Sequence, residues 1–307
     1  MLLALINIKK SAMHLARLLA IIVLLCCNVV RATEVTNKLP KIASINMCAD
    51  QLVLLLAEPE QILSLSYLSH DAAGSYLYRK AREYPANRGE SEQMLSLQPD
   101  VVIAGQYSAK HTVKLLSEQG VRIETLPIAN SLDDLYANIV KVAKWVGQEP
   151  KGQQIIKGLK ERVVAQQIAL SYDVDTNPTA AYYGANGYTV GPKTLRGQAL
   201  ELSGWTNAAA QQGIEFFGAL SLESMVKVAP QAIIDSPYSE GYSRAHQLLK
   251  HPALKASGLD PMVINIPSRQ TICAGPWTVD MIELLFEKRS EYLAHPASAN
   301  DPSVMPR

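Results

Sequence analysis

The alternation of short apolar runs with longer segments of helical period constrains this 307-residue chain most strongly. Runs rich in Val and Ile predict buried strands, and the segments between them have the apolar spacing of amphipathic helices. Strands that alternate with helices favour parallel pairing, so we expect an α/β fold with mostly parallel sheets. Predicted strands are 42–45, 62–65, 101–104, 122–126, 179–183, 232–235 and 263–266; predicted helices are 48–57, 109–118, 132–146, 195–202, 222–228 and 279–292.

One long helical segment separates the two strand-rich regions. Pro150 suits a first helical turn, and the residues that follow it are good helix formers as far as Tyr172. A helix of about 22 residues is about 33 Å long and acts as a stiff strut. Turn-forming residues 175–178 then end it. We therefore predict two lobes, 40–149 and 177–292, joined by the helix 150–172.

The two predicted lobes repeat one short block at the same internal spacing. The repeated residues are Glu92, Met94 and Pro99 in the first lobe and Glu223, Met225 and Pro230 in the second. In each block a short helix is stopped by the proline, and an apolar strand follows directly. This repeat predicts that the lobes are similar in structure and related by a pseudo-twofold axis.

The first 32 residues have the layout of a secretory signal. A basic segment precedes the apolar run 18–30, and Ala32 supplies a small residue at the expected cleavage position. The run is shorter than the roughly 20 residues that a membrane-spanning helix needs. A lipid anchor on Cys26 or Cys27 is an alternative. We expect an exported protein of about 275 residues cleaved near Ala32, with an unstructured tail at 295–307.

Composition and motifs weigh against two function classes. The net charge is +1 and no basic stripe is present, which argues against a nucleic-acid partner. The sequence contains no Gly-x-Ser-x-Gly, His-Glu-x-x-His, Walker, Cys-x-x-Cys or strand-linked Gly-x-Gly-x-x-Gly motif. We therefore expect a binding protein without a resident cofactor and not an enzyme. A chelatase-like enzyme acting on a tetrapyrrole is the competing interpretation, and the export signal argues against it.

The order of four segments resembles the periplasmic binding proteins that serve ABC importers of iron-siderophores, haem and cobalamin. The segments are 41–56, Glu92 to Ile103, 120–124 and the paired block at Glu223, within a likeness that covers roughly residues 40–290. The resemblance implies a ligand cleft between two lobes joined by one long helix, with only small opening motions. It also implies a periplasmic monomer that delivers a metal chelate to a permease dimer in the inner membrane.

The resemblance also assigns a role to the repeated glutamates. One glutamate on each lobe docks onto arginines of the permease in this family, and these positions fall on Glu92 and Glu223. Two carboxylates at pseudo-symmetric sites match the twofold axis of a permease dimer. The alternative is that both glutamates only stabilise the N-termini of their helices.

Candidate ligand-binding residues lie in the loops that follow the predicted strands, because open α/β sheets bind ligands at the carboxyl ends of their strands. The candidates are Asn46, Met47, Cys48, Tyr67, His70, Tyr107, Tyr183, Tyr188, Tyr238, Arg269 and Trp277, with Ser69, Asp71, Gln106, Asn186 and Tyr242 in the same loops. Their aromatic faces suit a bulky organic chelate, and Arg269 suits a carboxylate or hydroxamate group.

Two alternatives concern metals and thiols. His70 has the chemistry of an axial ligand to a haem or corrin metal, but a free metal ion is disfavoured because the chain has six histidines and no His-rich loop. Cys48 and Cys273 are predicted in cleft-edge loops of different lobes. We expect two unpaired, half-buried thiols; a disulfide that clasps the cleft and a metal site are the other options.

Overall fold

The computed structural model describes residues 38–108, 110–171, 177–238, 252 and 257–294. The predicted signal at 1–32, the predicted tail at 295–307 and the candidate Tyr242 lie outside these residues. None of the helices in the described ranges combines the length and the apolar character that a membrane crossing requires.

The first lobe contains a five-stranded parallel sheet flanked by helices. The strand order is β3-β2-β1-β4-β5, and each neighbouring pair is parallel. Its strands are β1 (Ile42–Ser44), β2 (Ile62–Ser66), β3 (Ala86–Asn87), β4 (Val101–Gly105) and β5 (Ile123–Leu126). Its helices are α1 (Met47–Leu56), α2 (Tyr78–Ala81), α3 (Ser91–Leu97), α4 (Lys110–Glu118) and α5 (Leu132–Val146).

The second lobe repeats this arrangement with a four-stranded parallel sheet and a small antiparallel ribbon. The sheet order is β11-β10-β6-β8, and β7 pairs with β9 in the ribbon. Its strands are β6 (Thr179–Tyr182), β7 (Tyr188–Val190), β8 (Thr206–Asn207), β9 (Phe217–Ala219), β10 (Ala232–Asp235) and β11 (Met262–Asn265). Its helices are α7 (Leu195–Leu202), α8 (Ala208–Gln211), α9 (Leu222–Val228) and α10 (Trp277–Ala294).

The two sheets have equivalent topology, and the repeated sequence blocks occupy equivalent places in them. The order β2-β1-β4-β5 corresponds to β8-β6-β10-β11. Helices α3 and α9 both end at a residue with left-handed backbone, Gln98 (φ 48°) and Ala229 (φ 46°), just before a proline. Met94 and Met225 are both buried beneath their helices. The α/β class and the similarity of the lobes, which the sequence predicts, are confirmed.

A long helix, α6 (Glu149–Ser171), lies between the two sheets in the chain. One face of it is buried, and Ile156, Leu159 and Val163 belong to an apolar cluster that also contains core residues of both sheets. Arg162 on this helix donates hydrogen bonds to Asp280 and Glu283 of α10 at 2.6 to 2.8 Å. Burial and these half-exposed ion pairs hold the strut against the second lobe.

Candidate functional site

Two connected cavities lie where the carboxyl ends of the parallel strands of both lobes meet. The larger has a volume of about 290 Å³ and the smaller about 120 Å³, and they share residues 128–129, Ile272 and Ala274. Other lining residues of the larger cavity are Asn46, Cys48, Leu52, Gly105, Gln106, Tyr107, Leu126, Pro127, Leu135 and Asn138. Other lining residues of the smaller cavity are Asn130, Thr194, Leu195, Arg196, Phe217, Gln270, Thr271, Cys273, Thr278 and Met281.

The first lobe contributes an apolar wall with one exposed aromatic side chain at its rim. Tyr107, two residues after β4, is 76 % exposed and available to a ligand. Asn46 is the N-cap of α1, because its side chain accepts hydrogen bonds from the backbone N–H groups of Cys48 and Ala49, both at 3.1 Å. A Cβ atom on Gly105 would lie 2.3 Å from the Asn46 amide, so glycine is needed for this close approach.

The second lobe contributes a cationic and aromatic wall that the sequence analysis missed. The guanidinium of Arg196 lies over the rings of Tyr182 and Tyr188, at 5.7 and 5.5 Å, and donates to the Tyr188 hydroxyl at 2.8 Å. Tyr188 in turn stacks on Phe217. Within the described ranges, no carboxylate lies within salt-bridge distance of Arg196. Its charge is therefore available to an anionic ligand.

A sequence signal for Arg196 existed. It is the second residue of α7, where the positive end of the helix dipole disfavours a cation. A half-buried arginine at this position therefore has a use other than helix stability.

A disulfide bond joins Cys48 and Cys273, so the expectation of two unpaired thiols is wrong. Their Cα atoms are 5.0 Å apart. Sequence separation gave no indication of this proximity, which arises because α1 and the loop before α10 meet across the cleft. The two lobes are therefore joined by a covalent bond at the edge of the cleft, which the sequence analysis gave as an alternative.

Further contacts join the lobes, and we call three of them the inter-lobe seam. The Tyr238 hydroxyl donates to Asp71 Oδ2 at 2.6 Å, and the Ser268 hydroxyl donates to the Ala73 carbonyl oxygen at 2.6 Å. Tyr76 stacks on Trp277 with ring centroids 4.5 Å apart. The hydrogen bond from Tyr238 lowers the pKa of Asp71 and raises that of Tyr238 itself.

Two predicted ligand residues are buried in the protein, which corrects their assignment. Tyr183 is 1 % exposed and packs in a core cluster with Leu220 and Met225. Trp277 is also 1 % exposed, is the first residue of α10 and not a loop residue, and donates a hydrogen bond to the Cys273 carbonyl oxygen. Neither side chain is available to a ligand.

The remaining predicted residues do not line the two connected cavities. Tyr238 and Arg269 line a separate crevice of about 630 Å³, whose first-lobe wall consists of Ala72 and Ala73. Tyr67 is 49 % exposed beneath the guanidinium of Arg88. His70 and Met47 are half-buried. Of the predicted set, Asn46, Cys48 and Tyr107 line the larger cavity. Tyr188 does not line a cavity, but its hydroxyl accepts a hydrogen bond from the cavity-lining Arg196.

A buried carboxyl supports the 66–70 segment, which contains the predicted residues Tyr67 and His70. Asp50 on α1 is fully buried and accepts hydrogen bonds from the Ser66 backbone N–H, at 2.9 Å, and from the Ser69 hydroxyl. Burial raises the pKa of Asp50 to about 8, against the effect of these hydrogen bonds. Asp50 is therefore mostly protonated at neutral pH and fixes the 66–70 segment against α1.

Glu92 and Glu223 occupy equivalent positions outside the cleft. Each is an exposed residue in the first turn of its helix, α3 or α9. In the part of the chain that the structure describes, neither carboxylate has an ion-pair partner. Their equivalent surroundings are consistent with a shared role, although the helix-stabilising alternative uses the same positions.

The architecture defines a two-lobed solute-binding protein with a cleft at the carboxyl ends of its sheets. A family model described as "Periplasmic binding protein" matches residues 42–257, and the chain belongs to this family. A cobalamin-binding protein of Halobacterium salinarum is 24 % identical over 200 residues, which cover 63 % of this chain and 53 % of that protein. The chain thus spans about half the length of the curated relatives it matches.

Solved structures of the same fold are similar at low sequence identity. A periplasmic heme-binding protein from Pseudomonas aeruginosa superposes with a TM-score of 0.65 at 20 % identity, covering 84 % of this chain and 94 % of that one. The periplasmic vitamin B12 binding protein BtuF of Vibrio cholerae gives a TM-score of 0.62 at 18 % identity, covering 82 % and 97 %. At these identities the likeness establishes the fold.

Proposed function

We propose that this protein is the exported solute-binding component of an ABC importer. It captures a metal chelate between its lobes and delivers it to the permease in the inner membrane, without catalysis. The observation that carries this proposal is the pair of connected cavities, which residues of both lobes line at the carboxyl ends of two parallel sheets. Ferric siderophores, cobalamin and haem are the candidate ligands, in keeping with the relatives named above.

The chemistry of the cleft suits an organic chelate with anionic groups. The cavity walls are largely aliphatic, Tyr107 offers an exposed aromatic face, and Arg196 offers a cation without a carboxylate partner in the described ranges. Apolar burial supplies affinity for the organic shell, whereas Arg196 recognises a carboxylate, hydroxamate or catecholate oxygen. The metal is cargo in this account, and the protein's residues contact its chelator.

The domain organisation follows from the same proposal. Residues 40–149 and 177–292 are the two lobes, and the helix 150–172 is the strut that limits their closure to a small angle. The first 32 residues are the export signal, removed near Ala32. The mature protein acts as a periplasmic monomer, and a lipid anchor on Cys26 or Cys27 is the alternative form.

Delivery uses the two equivalent glutamates. Glu92 and Glu223 present exposed carboxylates from pseudo-symmetric helices, which fits two equivalent cationic sites on a permease dimer. The stabilisation of a helix N-terminus needs no such equivalence between lobes. Exposed charge pairs at an interface act mainly on orientation and association rate, as a docking contact requires.

The test is a titration of protein purified from the periplasm against haem, cobalamin and a panel of ferric siderophores. Absorbance reports on the chelate, and the melting temperature reports on mass-action stabilisation of the folded protein. We expect one chelate class to bind and raise the melting temperature. A protein that binds none of them, or that turns one over chemically, would contradict the proposed function.

A further inference from the structure

The disulfide between Cys48 and Cys273 occupies the wall of the ligand cleft itself. Cys48 lines the larger cavity and Cys273 lines the smaller one. Ile272 and Ala274, on either side of Cys273, line both cavities. The bond therefore connects the N-terminus of α1 in the first lobe with the segment of the second lobe that borders both cavities.

The inter-lobe seam and the two cavities involve different residues of the first lobe. The seam contacts involve first-lobe residues 71–76. The separate crevice lined by Ala73, Tyr238 and Arg269 shares no residue with either cavity. The crevice and the two cavities are thus separate parts of the cleft, and the disulfide belongs to the wall of the cavities.

The disulfide differs from the seam contacts in its resistance to opening. A hydrogen bond contributes only about 0.5 to 1.5 kcal/mol net, so small hinge motions break and reform such contacts readily. A disulfide keeps its two Cα atoms within about 7 Å of each other in every conformation. The Cys273 end is also anchored, because its carbonyl oxygen accepts a hydrogen bond from the buried Trp277 at 2.6 Å.

We propose that the Cys48–Cys273 disulfide is a covalent tether that fixes the opening of the cleft and thereby restricts the ligand to compact chelates. This inference rests on the proposed function and selects within it a small ferric chelate over haem or cobalamin. The two connected cavities, of about 290 and 120 Å³, together lie at the lower end of the roughly 300 to 1,000 Å³ typical of small-molecule sites. The tether prevents the lobes from parting to admit a tetrapyrrole.

The first test measures the opening without a ligand. Spin labels on ketone-bearing unnatural residues at Lys114 and Lys227, one exposed site in each lobe, report the inter-lobe distance independently of thiol chemistry. The samples are the oxidised protein, the same protein reduced with dithiothreitol, and the C48S/C273S variant. The bond is removed both by reduction and by substitution, so that the test holds if one of the two perturbs folding. We expect a narrow distance distribution in the oxidised protein and a wider, longer one in the other two. Identical distributions would overturn the tether.

The second test measures ligand choice in the oxidised protein and in the C48S/C273S variant, since dithiothreitol would itself reduce the ferric ligands. The oxidised protein is expected to bind a ferric hydroxamate or catecholate and to reject haem and cobalamin. Removal of the bond is expected to raise the affinity for a tetrapyrrole by about ten-fold or more, which is about 1.4 kcal/mol of binding free energy. An unchanged ranking of ligands would overturn the size selection while leaving the proposed function intact. A complete absence of binding in both proteins would overturn the proposed function, and the size selection with it.

Discussion

The indole Nε1 of Trp277 donates a hydrogen bond to the carbonyl oxygen of Cys273, 2.6 Å away, and both residues are buried. Trp277→Phe removes the donor and leaves a buried carbonyl unpaired, which we expect to lower the free energy of unfolding by about 1 to 3 kcal/mol. Urea denaturation measures this change. Trp145→Phe is the matched control, since the Trp145 indole has no hydrogen-bond partner among the described residues. Equal destabilisation by both substitutions would contradict the anchoring role.

Arg196 is expected to determine affinity for an anionic ligand. Arg196→Gln removes the charge and should weaken chelate binding about 10- to 100-fold, because a hydrogen bond to a charged group contributes about 1.5 to 3 kcal/mol. Calorimetric titration gives the affinities. Arg122→Gln, at an exposed arginine paired with Glu124 far from the cavities, is the control and should leave affinity unchanged. If Arg196→Gln binds as tightly as wild type, the cationic wall takes no part in recognition.

The buried Asp50 predicts an unusual dependence of stability on pH. Its pKa is raised from 3.8 to about 8 by burial, so the folded protein holds a proton that the unfolded chain releases. This contribution to stability is complete below pH 3.8 and is lost as pH rises towards 8. Asp50→Asn removes the titration. As pH rises from about 4 to about 8, we expect the free energy of unfolding of the wild type to fall relative to that of the variant. Denaturation at several pH values measures both free energies. A constant difference would disprove the raised pKa.

The paired glutamates predict a separation of binding from transport. The double substitution of Glu92 and Glu223 by Gln should leave chelate affinity and melting temperature nearly unchanged, because both side chains are exposed and distant from the cavities. Uptake of labelled chelate by cells should be lost. Glu118→Gln, at an exposed glutamate paired with Lys114, is the matched control and should transport normally. Normal uptake by the double variant would leave only the helix-stabilising role for both glutamates.

Most of the fold could be predicted because it depends on local patterns. Strand 232–235 and helices 132–146, 195–202 and 222–228 have the predicted bounds, since apolar periodicity, prolines and caps define them. The short strands β3, β7, β8 and β9 were not predicted from the sequence. Two or three residues carry too little periodicity to be recognised, and tertiary pairing determines such strands.

The site was predicted less well because it depends on which loop residues meet. Strand order predicted loop positions for Asn46, Cys48 and Tyr107, and these three residues line the larger cavity. Tyr183 and Trp277 were predicted as ligand residues, but both side chains are buried. An aromatic side chain after a strand has the same sequence signature whether it faces a ligand or the core. The disulfide joins residues 225 positions apart, a proximity that only the packing of the two lobes creates.

The position of the bound metal tests the account most directly. Crystals of the periplasmically produced protein with the chelate that binds most tightly in the panel allow the metal to be located by anomalous scattering. We predict one strong peak between the lobes, with the chelator in contact with Tyr107 and the guanidinium of Arg196. A peak in the crevice beside Tyr238 and Arg269, a peak outside the cleft, or no peak at saturating chelate would contradict the account.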